Sequence, residues 1–173
     1  DLAAGVDITA SGGNVDLNNT VAQIDLSGTT DTNTISASGS VELANVVDTG
    51  TTTATSPVEL VVTAGTGVTL GTVTLSNTLD VDFDTATGTS TLNAGSLSAG
   101  TIEVDGVGTN DVMNFGSTVV STVAGVTIGN AGTVDLDGDV TGATTVTISD
   151  VGTEIDLAAG VDITASGGNV DLN

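Results

Sequence analysis

Residues 1–18 read DLAAGVDITASGGNVDLN, and residues 156–173 repeat the same eighteen letters at an offset of 155. Inside this stretch, apolar residues alternate with polar ones at 6–8 and again at 15–17, with Gly-Gly-Asn at 12–14 between them. A two-residue alternation is typical of a strand with one face turned inward. Gly and Asn adopt the left-handed conformations that sharp corners need. The stretch therefore predicts short strands joined by tight corners.

The same alternation continues along the chain. The further apolar pairs are Ile24/Leu26, Val41/Leu43, Val58/Leu60, Val68/Leu70, Val73/Leu75, Val81/Phe83, Ile102/Val104, Val126/Ile128, Val134/Leu136, Val146/Ile148 and Ile155/Leu157. We predict that these side chains point inward and that the intervening Asp residues point outward. A one-residue slip would bury carboxylates, and the sequence offers no cation to pair with them.

Short strands with frequent corners fit few architectures. A sandwich, barrel or propeller normally carries core aromatics, and this chain has only two Phe and no Trp or Tyr. The pattern favours an all-β, right-handed parallel β-solenoid (β-helix), whose narrow interior has little room for rings. With about 17–22 residues per coil, we expect seven to nine coils per 155 residues, and eight coils would advance about 38 Å.

The long repeat predicts the domain organisation. Residues 1–155 form one solenoid repeat unit, and residues 156–173 start the next identical unit as a copy of 1–18. An engineered duplication of the ends is the alternative. In the repeat interpretation, Asn173 is followed by Asn-Thr-Val-Ala-Gln-Ile-Asp-Leu. The copy is expected to sit on residues 138–155, and a pure translation should superpose it on residues 1–18.

The composition excludes several function classes. The chain has 22 acidic residues, no Lys, Arg, His or Cys, and a net charge of −22. It therefore lacks the imidazole, thiolate and amine groups used in most catalysis, and we predict that it is not an enzyme. Without cations it is not expected to bind nucleic acid, and no apolar run is long enough for membrane insertion. Disorder is disfavoured by the 38% apolar content.

Two acidic clusters are candidate metal sites. The metal-ligating candidates are Asp80, Asp82 and Asp84 in one cluster and Asp135, Asp137 and Asp139 in the other. Hard cations such as Ca²⁺ favour several oxygen ligands, which carboxylates on adjacent coils could share. The alternative is a solvated acidic face. No other cofactor and no catalytic residue is predicted.

Three longer stretches carry a family resemblance: AGVDITASGGNVDLN at 4–18, GTVTLSNTLDVDF at 71–83 and AGVTIGNAGTVDLDGDVTG at 124–142. They resemble the repeats of filamentous-haemagglutinin-like giant surface proteins, which are β-solenoid exoproteins and adhesins. The resemblance implies a right-handed parallel β-helix and a location at the cell surface.

These observations predict a structural segment of an extracellular filament or surface fibre. Its partners would be copies of itself, as a homopolymer or as tandem repeats of one giant chain, with divalent cations as possible crosslinkers. The stalk of a cell-surface adhesin is the alternative function. Ice binding is a remote third, suggested by Thr-rich strings such as Thr72-Val73-Thr74.

Overall fold

The computed structural model describes residues 2–3, 5–18, 23–26, 32–48, 59–84 and 88–173. Twenty β-strands and no helix occur within these ranges. The Val58 member of the predicted Val58/Leu60 pair lies outside them. The strands stack into three faces of a β-solenoid, and the chain passes from face 1 to face 2 to face 3 in each coil.

Face 1 consists of β1 (Asp7–Ala10), β4 (Thr32–Ala37), β7 (Glu59–Ala64), β10 (Thr78–Phe83), β13 (Thr101–Asp105), the first parts of β16 (Val126–Leu136) and β18 (Val146–Leu157), and β20 (Val170–Leu172). Face 2 consists of β2 (Val15–Leu17), β5 (Ser40–Leu43), β8 (Gly67–Leu70), β11 (Thr91–Ala94), β14 (Val112–Phe115) and the second parts of β16 and β18. Face 3 consists of β3 (Gln23–Leu26), β6 (Asn45–Asp48), β9 (Val73–Thr74), β12 (Leu97–Ala99), β15 (Val119–Ser121), β17 (Val140–Gly142) and β19 (Ile163–Ala165).

All strand pairs in the described ranges are parallel, and each strand pairs with the equivalent strand one coil away. Faces 1 and 2 form one 13-stranded sheet because β16 and β18 run continuously around the corner between them, whereas face 3 is a separate seven-stranded sheet. The predicted all-β parallel solenoid is confirmed. Its right-handedness stays a prediction, supported by the general preference of parallel crossovers.

The coils are longer and fewer than expected. The step between paired residues on face 1 is 27 residues from Asp7 to Thr34, 19 from Val61 to Asp80 and 20 from Thr127 to Thr147. The chain makes about six turns instead of the seven to nine predicted. Loops at the corners absorb residues that strand periodicity alone does not count.

Aliphatic columns fill the interior. One column on face 1 runs through Ile8, Ile35, Val62, Val81, Val104, Ile128, Ile148 and Leu172 in successive coils. Its six inner members, Ile35 to Ile148, are fully buried, and Ile8 in the first coil is half-buried. Val134, Leu136 and Val146 are also buried, so the predicted inward alternation is confirmed.

The interior accommodates two aromatic rings, contrary to the expectation of little room. Phe83 stacks on Ala64, and Phe115 stacks on Ala94. Both rings are buried. Each alanine leaves space that the ring of the next coil fills, so packing remains dense despite the change in side-chain size.

Candidate functional site

An acidic ladder covers the outer side of face 1. We define it as Glu59, Asp80, Asp82, Glu103 and Asp105, which come from the consecutive strands β7, β10 and β13. Asp80 lies directly opposite Glu103, and Asp82 lies directly opposite Asp105. The strand alternation turns all five side chains away from the core. Like charges directly opposite one another destabilise a sheet.

Burial and repulsion alter the titration of this ladder. Burial between neighbouring strands is the main cause that raises the pKa of Asp80 from 3.8 to about 6, and the negative charges of the other four ladder residues add to it. Burial and the charge of Asp105 also raise the pKa of Asp82. The ladder therefore holds its negative charge at a cost near neutral pH.

Hydrogen bonds hold both ends of the ladder. The Thr32 hydroxyl donates to Glu59 Oε2 at 2.6 Å, and Asn130 Nδ2 donates to Asp105 Oδ1 at 2.7 Å. Neutral donors on the adjacent coils thus replace the cations that the sequence lacks.

The two predicted metal clusters lie on different parts of the solenoid. Asp80 and Asp82 are in the acidic ladder, and exposed Asp84 follows β10. Asp135 lies on face 2 between Asn114 and Asp156 of the adjacent coils. Asp137 and Asp139 lie at the corner between faces 2 and 3, where Asp139 Oδ1 accepts the Asp162 backbone N–H at 3.0 Å.

The structure thus brings Asp80 and Asp82 together with Glu103 and Asp105, which the sequence did not group with them. Within the described ranges, no group of three or more acidic side chains is arranged to hold a metal ion. Calcium binding at the six candidate residues stays a prediction.

Asp111 is a buried carboxylate that sequence reasoning missed. Its side chain is 2% exposed. Oδ1 accepts the Ser90 N–H at 2.8 Å, and Oδ2 accepts the N–H groups of Val107 at 2.8 Å and Gly108 at 3.3 Å. Backbone amides thus take the place of a cationic partner. The signal in the sequence is the turn-rich Gly106–Asp111 segment, in which an Asp can bind nearby amides.

The loop held by Asp111 covers the corner between faces 1 and 2. Thr109 lies against Gly152, where an added Cβ would be 2.7 Å from the Thr109 Cβ. Asn130 and Asp150 turn this corner with φ of 52° and 55°, as predicted for the Gly-Asn-Ala-Gly sequence at 129–132. A groove of about 350 Å³ remains here, lined by Gly108, Thr109, Asn130, Asp150, Val151 and Gly152. Its lining offers one carboxylate, one hydroxyl and one amide side chain.

The two copies of the eighteen-residue sequence occupy different faces. Leu2 pairs with Leu26 on face 3, whereas its copy Leu157 pairs with Leu136 on face 2. The other equivalent pairs are Ile8 on face 1 with Ile163 on face 3, and Val15 on face 2 with Val170 on face 1. The predicted pure translation is wrong, because the 155-residue offset does not contain a whole number of coils. The copy also stacks on residues 136–148 instead of 138–155.

The local conformation is nevertheless shared by the two copies. Gly5 and its equivalent Gly160 both have positive φ, at 67° and 90°. Both copies therefore turn at the same glycine although they turn different corners of the solenoid. Only glycine adopts this conformation at little cost.

The last coil exposes a slice of the apolar interior. Leu157, Val170 and Leu172 are 44%, 41% and 44% exposed. The equivalents of the latter two in the first copy, Val15 and Leu17, are covered by Val41 and Leu43 of the next coil. The slice is therefore identical in sequence to a surface whose cover is visible elsewhere in the same structure.

Comparison with protein-family models, curated proteins and solved structures found no match. The resemblance to filamentous-haemagglutinin-like proteins stays a prediction. In the part of the chain that the structure describes, no helix is long and apolar enough to cross a membrane.

Proposed function

We propose that this chain is a structural segment of an extracellular filament or surface fibre, formed by end-to-end stacking of identical β-solenoid repeats. The observation that carries the proposal is the identity of residues 1–18 and 156–173, located in the first and last coils of one continuous stack. The same residues are seen once with their upper neighbours and once with their lower neighbours.

The energetics of the stack support this function. Each exposed end residue, such as Leu157 or Leu172, would gain about 1 kcal/mol when a following coil covers it. The unpaired backbone of the last strands would gain ladder hydrogen bonds at the same time. In a solenoid these gains recur at each interface, so stability is maintained as the stack lengthens.

The exterior also suits a fibre. The acidic side chains of face 1 point outward, and a uniform negative charge keeps neighbouring stacks soluble and separate. Trypsin-like proteases cleave after Lys or Arg, and the chain has neither. Both properties favour a long structure exposed outside the cell.

Small-angle scattering of tandem proteins with one, two and three 155-residue units would test the proposal. We expect rods of constant cross-section whose length increases by about 32 Å per unit, from roughly 6⅔ coils at ~4.8 Å each. A tandem carrying Ile8→Asp in its second unit is the matched control, because that charge would interrupt one interior column at the junction.

Two results would contradict the proposal. The first is a length that does not increase linearly, or a flexible chain of separate domains that the Ile8→Asp control leaves unchanged. The second concerns the gene. Its sequence on both sides of this segment should encode further 155-residue units, and a single unit would remove the main support for stacking.

A further inference from the structure

The phase of the two copies determines how one unit is placed on the next. From β1, which contains Ile8, to β19, which contains Ile163, the chain advances through twenty face positions, with β16 and β18 each covering two faces. The shift is the same for Leu2 and Leu157, and for Val15 and Val170. Because each coil has three faces, twenty positions correspond to 6⅔ coils.

We infer that successive 155-residue units are rotated by one face about the solenoid axis, so that the pattern repeats only after three units and twenty coils. This inference rests on the proposed end-to-end stacking. The occupant of the exposed slice is the next unit of the same sequence, whose copies of β3, β4 and β5 cover the residue equivalents that they cover in the first coil.

The corner at Gly5 and Gly160 explains why this rotation is tolerated. The same glycine turns the corner from face 3 to face 1 in one copy and from face 2 to face 3 in the other. The turn depends on local backbone freedom and not on a particular face. A unit can therefore continue the stack from any face without a change of its own fold.

Rotation has a consequence for the fibre surface. The acidic ladder of one unit lies on face 1, that of the next unit would lie on face 3, and that of the third on face 2. Negative charge is then distributed around the axis instead of forming a stripe on one side. The full surface pattern would have an axial period of about 96 Å, against about 32 Å for units stacked without rotation.

Engineered disulfides would test the junction, since the chain has no cysteine of its own. The protein is a tandem in which residues 1–155 precede the whole 173-residue chain. Thr164, the copy of Thr9, pairs with Thr141 on face 3. Rotation therefore places Thr9 of the following unit beside Thr141 of the leading unit. Stacking without rotation would place Ile8 over Ile148, and thus Thr9 beside Ser149.

Two double variants distinguish these arrangements. One carries Thr141→Cys in the leading unit and Thr9→Cys in the following unit, and the other carries Ser149→Cys and Thr9→Cys in the same places. All three positions point outward. We expect at least about tenfold more disulfide in the first variant, measured by mass spectrometry and loss of free thiols, because parallel neighbours meet the required Cα separation. Asn93→Cys with Asn114→Cys is the internal positive control, since these two asparagines are directly paired.

The alternative outcomes separate this inference from the proposed function. A disulfide in the Ser149 variant instead of the Thr141 variant would overturn the rotation but leave end-to-end stacking intact. Absence of both, with the internal control formed, would overturn both. Electron microscopy of a longer array without substitutions gives a second measurement. A period near 96 Å supports the rotation, and a period near 32 Å contradicts it.

Discussion

Replacing Asp111 with asparagine tests whether a buried carboxylate holds the corner loop. The asparagine can still accept the Ser90 N–H through its amide oxygen. Its NH₂ group, however, would face the N–H groups of Val107 and Gly108, which now share the second carboxylate oxygen. Two buried donors would thus lose their acceptor.

The expected cost follows from these contacts. A buried donor without an acceptor costs about 1–3 kcal/mol, and the Gly108 bond is long at 3.3 Å, so we expect a gross loss of about 2–4 kcal/mol. Removing one buried negative charge from a chain of net charge −22 offsets part of it. The net loss is about 2–3 kcal/mol, or roughly 5–10 °C in Tm for a chain of this size.

Urea unfolding followed by circular dichroism measures the net loss, and hydrogen exchange at Ser90 and Val107 locates it. Local measurement is needed because solenoids can open coil by coil. Asp137→Asn is the matched control, since this carboxylate is exposed at another corner, and we expect a change within about 0.5 kcal/mol. Equal effects of the two substitutions would refute the role of Asp111.

Three further predictions concern the exterior. Because the pKa of Asp80 is raised to about 6, its stabilising protonation is complete below about pH 4 and is lost as the pH rises through 6. Asp80→Asn should therefore raise the unfolding free energy at pH 7 by about 1 kcal/mol after solvent screening, with little effect at pH 4; an equal effect at both pH values in urea titrations would contradict this. Gly106→Ala should destabilise the chain by about 1–3 kcal/mol because the new methyl group meets the Asn130 carbonyl oxygen, whereas Gly108→Ala enters open space and should change stability by less than about 0.5 kcal/mol. Similar thermal melts of the two glycine variants would argue against close packing at this corner. Finally, CaCl₂ and NaCl at matched ionic strength should raise Tm equally, since the described acidic residues form no metal-holding group; a larger Ca²⁺ effect that a chelator reverses would support the metal sites at 80–84 and 135–139.

The sequence by itself determined the local pattern of this protein. Alternation over two residues predicted that Val81 and Val134 point inward and that Asp80 and Asp135 point outward, and burial confirms both. The Gly-Asn-Ala-Gly sequence at 129–132 predicted a corner, which Asn130 turns with positive φ. These features depend on neighbouring residues only, so a local pattern encodes them.

Only the tertiary structure decided which residues become neighbours across coils. The steps of 19 to 27 residues between paired positions depend on the length of each corner loop, and no two-residue period records that length. The meeting of Asp80 with Glu103, the burial of Asp111 and the different faces of Ile8 and Ile163 all follow from these steps. Eighteen identical residues therefore keep their local shape but not their place around the axis, because that place is set by the sum of all the loops between them.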